Sequence, residues 1–139
     1  MKKKTILHLA PEINALILTI RDQKVLLDAD LAMVYGVPTR VLNQALKRNA
    51  NRFPPDFAFQ LSPEESAGIR SQSVIASNHI RSQIVTASKR NIRHRPWAFT
   101  EHGALMAANV LNSNRAAEMS VYVIRAFVKM RAELTKHRD

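Results

Sequence analysis

Residues 28–49, DADLAMVYGVPTRVLNQALKRN, constrain the fold more than any other segment, because their pattern predicts two short helices joined by a tight turn. The first helix has an aspartate available as its N-cap, either Asp28 or Asp30. Its apolar residues recur at helical spacing and form the face expected to be buried, Leu31, Ala32 and Tyr35. The segment therefore begins as a short amphipathic helix.

The turn between the two helices is predicted at a glycine. Gly36 adopts a left-handed backbone at little cost, which suits a helix C-terminus, and Val37 can fill the angle between the helices. Pro38 suits the first position of the second helix, and Thr39 suits its N-cap. We therefore expect the second helix to start at this Pro-Thr pair.

The second helix has two contrasting faces. Its inward face is apolar and consists of Leu42, Ala45 and Leu46. Its opposite face is polar, at offsets of three, four and seven, and consists of Arg40, Asn43, Gln44 and Lys47. Such side chains pair with base edges in the major groove, and two helices joined by a glycine turn are typical of helix-turn-helix DNA-binding proteins. The alternative is an ordinary helical hairpin with a solvated polar face.

The charge of the chain favours a polyanionic partner. The net charge is +10 and the sequence pI is near 10.7. The excess is concentrated in two stretches without acidic residues, 31–55 and 66–100. A membrane surface is the competing partner, but the chain has no basic amphipathic helix with bulky aromatic residues. We therefore expect double-stranded DNA as the partner and no membrane association.

The candidate DNA contacts come from both of these stretches. On and beside the second helix they are Thr39, Arg40, Asn43, Gln44, Lys47 and Arg48. Arg52 lies shortly after this helix and suits a phosphate contact. A candidate basic wing that grips the DNA backbone is formed by Arg90, Arg93 and Arg95. In the alternative interpretation these arginines are solvated and the neighbouring Trp97 belongs to the core.

The sequence gives little support to catalysis or metal binding. It has no cysteine, and its five histidines, at positions 8, 79, 94, 102 and 137, lack a spacing typical of metal ligands. Glu101 and His102 lie at a predicted helix start, but no nucleophile or second carboxylate accompanies them. A nuclease would need a carboxylate cluster, which the basic half of the chain cannot supply. We expect no enzyme activity, no metal and no cofactor.

The N-terminal segment does not have the pattern of a secretory signal. Lys2, Lys3 and Lys4 resemble a basic n-region, but His8, Pro11 and Glu12 interrupt the apolar run that a signal would need after it. No segment reaches the roughly 18 apolar residues that a membrane-spanning helix needs. The expected location is the cytoplasm.

Short strands are predicted on both sides of the helix pair. Residues 15–27 read as two apolar strands in a hairpin around residues 21–24. Residues 54–56 form a turn, and the large residues after it alternate as in a strand, with Phe57, Phe59 and Leu61 on one face. Residues 96–99 form a further strand.

Three further helices are predicted, with a loop before the second. Ser62 and Glu65 form a capping box at a helix start. Residues 66–95 are expected to be a loop with one short strand at 84–85. Thr100 caps a helix that ends near Leu111, and a long helix runs from about residue 115 to residue 136.

The long helix carries more apolar surface than one groove would cover. A broad stripe consists of Met119, Val123, Ile124, Phe127, Met130 and Leu134, and a neighbouring line of Val121, Ile124 and Val128. A two-fold homodimer through this helix would bury the second line. In the alternative, the preceding helix covers the stripe within one monomer, through Leu105, Met106 and Val110.

Seven segments in order resemble the phage-type open-reading-frame-six N-terminal domain family, a relative of the KilA-N DNA-binding domains. They are IRDQKVLLDADLAMVYGV, LNQALKRN, RFPPDFAFQL, RSQ at 70–72, FTEHGALM, VLNSNRA and IRAFVKMR, and they extend from about Ile20 to Arg131. Each segment alone is weak, but their order is specific. The resemblance implies a DNA-binding regulator of phage or prophage type. The alternative function is that of an antirepressor, which acts by binding another regulatory protein.

The elements and the resemblance together predict an α+β fold. In this fold a helix-turn-helix lies next to a small β-sheet or wing, and a long C-terminal helix completes the chain. Residues 1–14 are expected to be an N-terminal tail and residues 15–111 a KilA-N-like DNA-binding domain. Residues 112–139 would form a C-terminal helix that packs on the core and takes part in dimerisation.

Overall fold

A computed structural model describes residues 13–73 and 95–138, with side chains at residues 13–69 and 95–132. A helical turn at residues 13–16 precedes the first strand. The strands are β1 (Leu18–Ile20), β2 (Gln23–Leu27), β3 (Ala58–Gln60) and β4 (Trp97–Phe99). The α-helices are α1 (Asp28–Tyr35), α2 (Thr39–Arg48), α3 (Pro63–Ser73), α4 (Glu101–Leu111) and α5 (Asn114–Arg138), and a 3₁₀ turn covers Ala50–Arg52. The predicted α+β fold with a small sheet and a long C-terminal helix is confirmed.

The four strands form one antiparallel sheet in the order β1-β2-β4-β3. β1 and β2 form the predicted hairpin, in which Leu18 pairs with Val25 and the turn consists of Arg21 and Asp22 alone. Both turn residues have positive φ, 55° and 61°, as a tight hairpin turn of the I′ type requires. β4 lies between β2 and β3, so the last of the four strands in the sequence is an inner strand of the sheet.

Apolar side chains cover both faces of the sheet. On one face Leu26, Ala58 and Phe99 belong to the larger core, together with buried residues of α1, α2, α4 and α5. On the other face Val25, Phe59 and Ala98 belong to a second buried cluster that includes Ile69 of α3. The three large residues of the β3 segment therefore do not share one face as predicted, because Phe57 lies before the strand and packs against the larger core.

Both helices of the predicted pair form, but their first residues differ from the predicted caps. Leu27, the last residue of β2, is the N-cap of α1, and no side chain caps this helix. Pro38 is the N-cap of α2, and Thr39 is its first residue. The strand runs directly into α1, which places Asp28 inside the helix. Gly36 has the predicted left-handed backbone, with φ 72°.

The loop predicted for residues 66–95 is wrong in its first part, since α3 continues to Ser73. The predicted capping box is present at its start: the Ser62 N–H donates to Glu65 Oε1 at 2.8 Å, and the Glu65 N–H donates to Ser62 Oγ at 3.1 Å. The apolar contact of Ile69 with the sheet accounts for the extension. The strand predicted at residues 84–85 lies outside the described residues.

The start of α4 is tied to the turn that precedes β3. Thr100 is the N-cap as predicted, and its Oγ1 accepts from the Gly103 N–H at 3.4 Å and lies 2.8 Å from the Asp56 carbonyl oxygen, to which the hydroxyl donates. The Thr100 N–H donates to the Phe57 carbonyl at 3.0 Å. These bonds fix the end of β4 against the chain that enters β3.

α4 and α5 form a helical hairpin that covers the larger core. Asn112 ends α4 with φ 50°, and Glu101 near the start of α4 pairs with Arg131 near the far end of α5. Met119, Val123 and Phe127 of the predicted stripe are buried, whereas Leu134 has no described side chain. Val121 and Val128 of the second line are 46% and 45% exposed. In the described part of the chain, no helix has the length and apolar character needed to cross a membrane.

Candidate nucleic-acid interface

α2 buries one face and exposes the other. Leu42 and Leu46 are 1% and 3% exposed and belong to the larger core, where α2 packs against α1 and α4. The exposed side chains of the helix are Arg40, Gln44, Lys47 and Arg48. We call these four residues the α2 face. It contains no acidic side chain, and Thr39, a further candidate, lies half-buried at the first helical position.

Asn43 is separated from the α2 face although it lies on α2. Its side chain is half-buried, and Nδ2 donates to Asp28 Oδ2 at 3.1 Å. This bond holds Asn43 toward α1 and away from the surface on which the sequence placed it. Local sequence spacing does not predict this hydrogen bond, because Asp28 and Asn43 are 15 residues apart.

Asp28 links α1, α2 and β4 through one buried carboxylate. Its Oδ1 accepts from the Ala29 N–H at 2.7 Å, and its Oδ2 accepts from Asn43 and also from the Trp97 N–H at 3.2 Å. A buried carboxylate is stabilised by such donors. The Asp28 carboxylate thereby ties the first residue of β4 to α2.

The remaining candidates fall into three groups. Arg52 is exposed in the 3₁₀ turn directly after α2 and extends the basic surface beyond the helix. Arg95 is exposed two residues before Trp97, and its carbonyl accepts from Gln60 Nε2 at 3.1 Å. Arg90 and Arg93 lie outside the described residues. Trp97 is half-buried and packs against the larger core, as the alternative interpretation of this segment expected.

Sequence reasoning missed one basic residue of this region. Arg115, in the first turn of α5, is exposed and lies across the turn between α1 and α2. A Cβ atom at Gly36 would lie 2.5 Å from Arg115 Cδ and 2.6 Å from its Nε. No local pattern predicts this contact, because the two residues are far apart in sequence.

Two acidic side chains of α1 are buried. Asp28 and Asp30 are 3% and 2% exposed. Burial, with a smaller contribution from the neighbouring charge of Asp28, raises the pKa of Asp30 to about 7. Among the residues that the structure describes, no group of three or more His, Asp or Glu side chains could hold a metal ion.

Comparison with known families identifies the chain at the level of the domain. The family model described as the ORF6N domain matches residues 15–110, which is more than half of the chain and includes both helices of the pair and all four strands. No curated protein and no solved structure is similar enough to match. The resemblance inferred from the seven segments is thus confirmed, and the chain belongs to the ORF6N domain family.

Proposed function

We propose that this chain is a DNA-binding regulator of phage type that acts in the cytoplasm, without catalysis, by placing α2 in the major groove. The observation that carries the proposal is the α2 face: four exposed polar or basic side chains without an acid, on a helix whose other face is held in the core. A solvated helix face usually mixes both signs of charge. In this proposal α1, the turn at Gly36 and α2 form a helix-turn-helix.

The residues of the surface divide by the chemistry that each offers. Gln44 can pair bidentately with adenine, and Arg40 or Arg48 with guanine. Lys47, Arg52 and Arg95 suit phosphate oxygens, which carry no sequence information but fix the register of the protein on the duplex. Asn43 acts indirectly in this proposal, by holding α2 against Asp28.

Salt titration of binding to duplex DNA tests the proposal. If about five cations contact phosphates, log K should fall with log salt concentration at a slope of about −4 to −5. The probe is a labelled duplex chosen by selecting bound fragments of phage and host DNA, compared with a scrambled duplex of the same length. Absence of binding to either duplex at about 50 mM salt would rule out the proposal.

A matched pair of variants separates the α2 face from general positive charge. Lys47→Gln removes one cation from the α2 face, and Lys129→Gln removes one from an exposed position of α5. We expect Lys47→Gln to weaken binding and to reduce the salt slope by about one, and Lys129→Gln to do neither. Equal effects of the two substitutions would show that binding reflects net charge alone.

The second candidate function is that of an antirepressor that binds another regulatory protein. It is favoured by Leu105, Val121 and Val128, which are exposed on the α4–α5 hairpin. Failure to bind DNA, together with binding of a phage repressor that is abolished by Val128→Glu, would favour this candidate.

A further inference from the structure

The Arg115 side chain lies against the turn between α1 and α2, although Arg115 belongs to α5. Its Cδ and Nε occupy the space where any residue other than glycine at position 36 would carry its Cβ, and Cζ lies 3.5 Å from the same point. The φ of 72° is the reason for a glycine at position 36, because the flexible end of the Arg115 side chain can shift to make room for a Cβ. The aliphatic part of Arg115 packs on the turn, while the residue as a whole stays exposed.

No described acid accounts for the position of this arginine. The ion pairs Arg21–Glu65 and Arg131–Glu101 do not include Arg115, and the first turn of α5 contains no acidic residue. Glu118, one turn further along α5, is exposed and forms no described pair with Arg115. The arrangement thus presents a cation at the surface, beside the turn that precedes α2.

Cations lie beside both ends of α2. α2 has 10 residues and is therefore about 15 Å long, compared with a groove about 12 Å wide. A helix of this length in the groove can bring cations beside both of its ends within reach of phosphates. Arg52 supplies a cation just after the C-terminal end of α2, and Arg115 supplies one beside its N-terminal end.

We propose that Arg115 contacts a DNA phosphate and that the DNA-binding surface extends from α2 across the Gly36 turn onto α5. This inference rests on the proposed DNA binding and adds to it a contact from a helix outside the helix pair. A phosphate contact contributes equally on every sequence, so Arg115 positions the protein on the duplex and does not select the site.

The test compares two exposed arginines of the same helix, Arg115→Gln and Arg125→Gln. Arg125 lies 10 residues further along α5, about 15 Å away, and its guanidinium is 5.8 Å from the Tyr122 ring centre. We expect Arg115→Gln to raise Kd about 3–10-fold on the selected and the scrambled duplex alike, and to lower the salt slope by about one. We expect Arg125→Gln to leave both quantities unchanged, and Arg115→Lys to keep most of the affinity.

The outcomes separate this inference from the proposed function. If the unaltered protein binds DNA and Arg115→Gln binds with the same Kd and slope, the phosphate contact is wrong and the α2 proposal stands. If the unaltered protein does not bind, both are wrong. Loss of fold in Arg115→Gln would appear in its melting temperature. In that case the phosphate contact is tested by two other measurements. They are the salt slope, which does not depend on the fraction of folded protein, and the affinity of Arg115→Lys.

Discussion

Asp30 makes the stability of the fold depend on pH. Its pKa is about 7 in the folded chain, because burial and the neighbouring Asp28 disfavour its charged form, whereas an unfolded carboxyl has an ordinary value of 3.8. Between these values the folded state binds more protons than the unfolded state. The free energy of unfolding should therefore fall as pH rises from about 4 to 7, by at most about 1.4 kcal/mol per pH unit from this group.

Chemical denaturation of Asp30→Asn at several pH values checks this prediction. The substitution should flatten the pH dependence between 4 and 7 and should raise stability at pH 8, whereas Asp56→Asn, at an exposed position, should leave the dependence in place. Glu65 acts in a different range: Arg21 and the Ser62 N–H lower its pKa to about 2, so its contribution is lost only as pH falls below about 4.5. An unchanged slope in Asp30→Asn would contradict the assignment.

Gly103 and Gly68 should respond in opposite ways to alanine. A Cβ at Gly103 would lie 1.8 Å from the Phe57 carbonyl oxygen, a backbone atom that also accepts from Thr100. A Cβ at Gly68 would meet nothing within 4 Å on α3. We expect Gly103→Ala to lower the free energy of unfolding by about 2 kcal/mol or more, and Gly68→Ala to raise it by about 0.5–1 kcal/mol. Urea unfolding curves measure both, and equal effects would show that the contact at Gly103 relaxes freely.

α2 and the turn after it carry the base-reading and the phosphate-binding contacts of the proposed interface. Gln44→Ala should weaken binding by about 1–3 kcal/mol on the selected duplex and much less on the scrambled one. Arg52→Ala, which removes a cation just beyond the helix, should weaken binding to both alike. Parallel titrations of the two duplexes measure the difference. Equal losses from Gln44→Ala on both duplexes would show that the α2 face does not read bases.

The elements that sequence predicts well are those whose signals are local. The capping box of Ser62 and Glu65, the N-cap Thr100 and the left-handed Gly36 each involve residues within one helical turn. Their partners lie three residues away or in their own backbone, so that composition and spacing contain the whole interaction. The hairpin between β1 and β2 is also predicted, but not that two residues without glycine form its turn.

The elements that sequence misses depend on contacts between distant segments. α3 continues beyond residue 66 because Ile69 packs on the sheet. The weak helical pattern of this segment does not indicate that contact. Helical spacing predicts Asn43 on the same exposed face as Gln44. Its hydrogen bond to the Asp28 carboxylate instead holds it toward α1. Arg115 reaches the α1–α2 turn only because α5 folds back on α1. The exposed positions of the α2 face, of Arg52 and of Arg95 were thus predictable from sequence, whereas the contacts of Asn43 and Arg115 were not.

The α4–α5 hairpin leaves an apolar line at the surface. Leu105, Val121 and Val128 are the large apolar side chains that are most exposed in the described part of the chain, at 50%, 46% and 45%. The α4–α5 hairpin thus leaves most of the second predicted line uncovered within one chain, with Ile124 half-buried between the two valines.

We therefore propose that a second copy of this chain covers the line, in a two-fold dimer that offers two α2 helices to a symmetric DNA site. Light scattering at micromolar concentration should give about twice the chain mass of 15.7 kDa. Val121→Glu places acid against the apolar centre of the pair and should give the monomer mass, with weaker binding to a symmetric site than the unaltered protein shows. Ala67→Glu, at an exposed position of α3 on the opposite side of the sheet, should leave the dimer intact. A mass near 15.7 kDa for the unaltered protein, unchanged on dilution, would contradict the dimer.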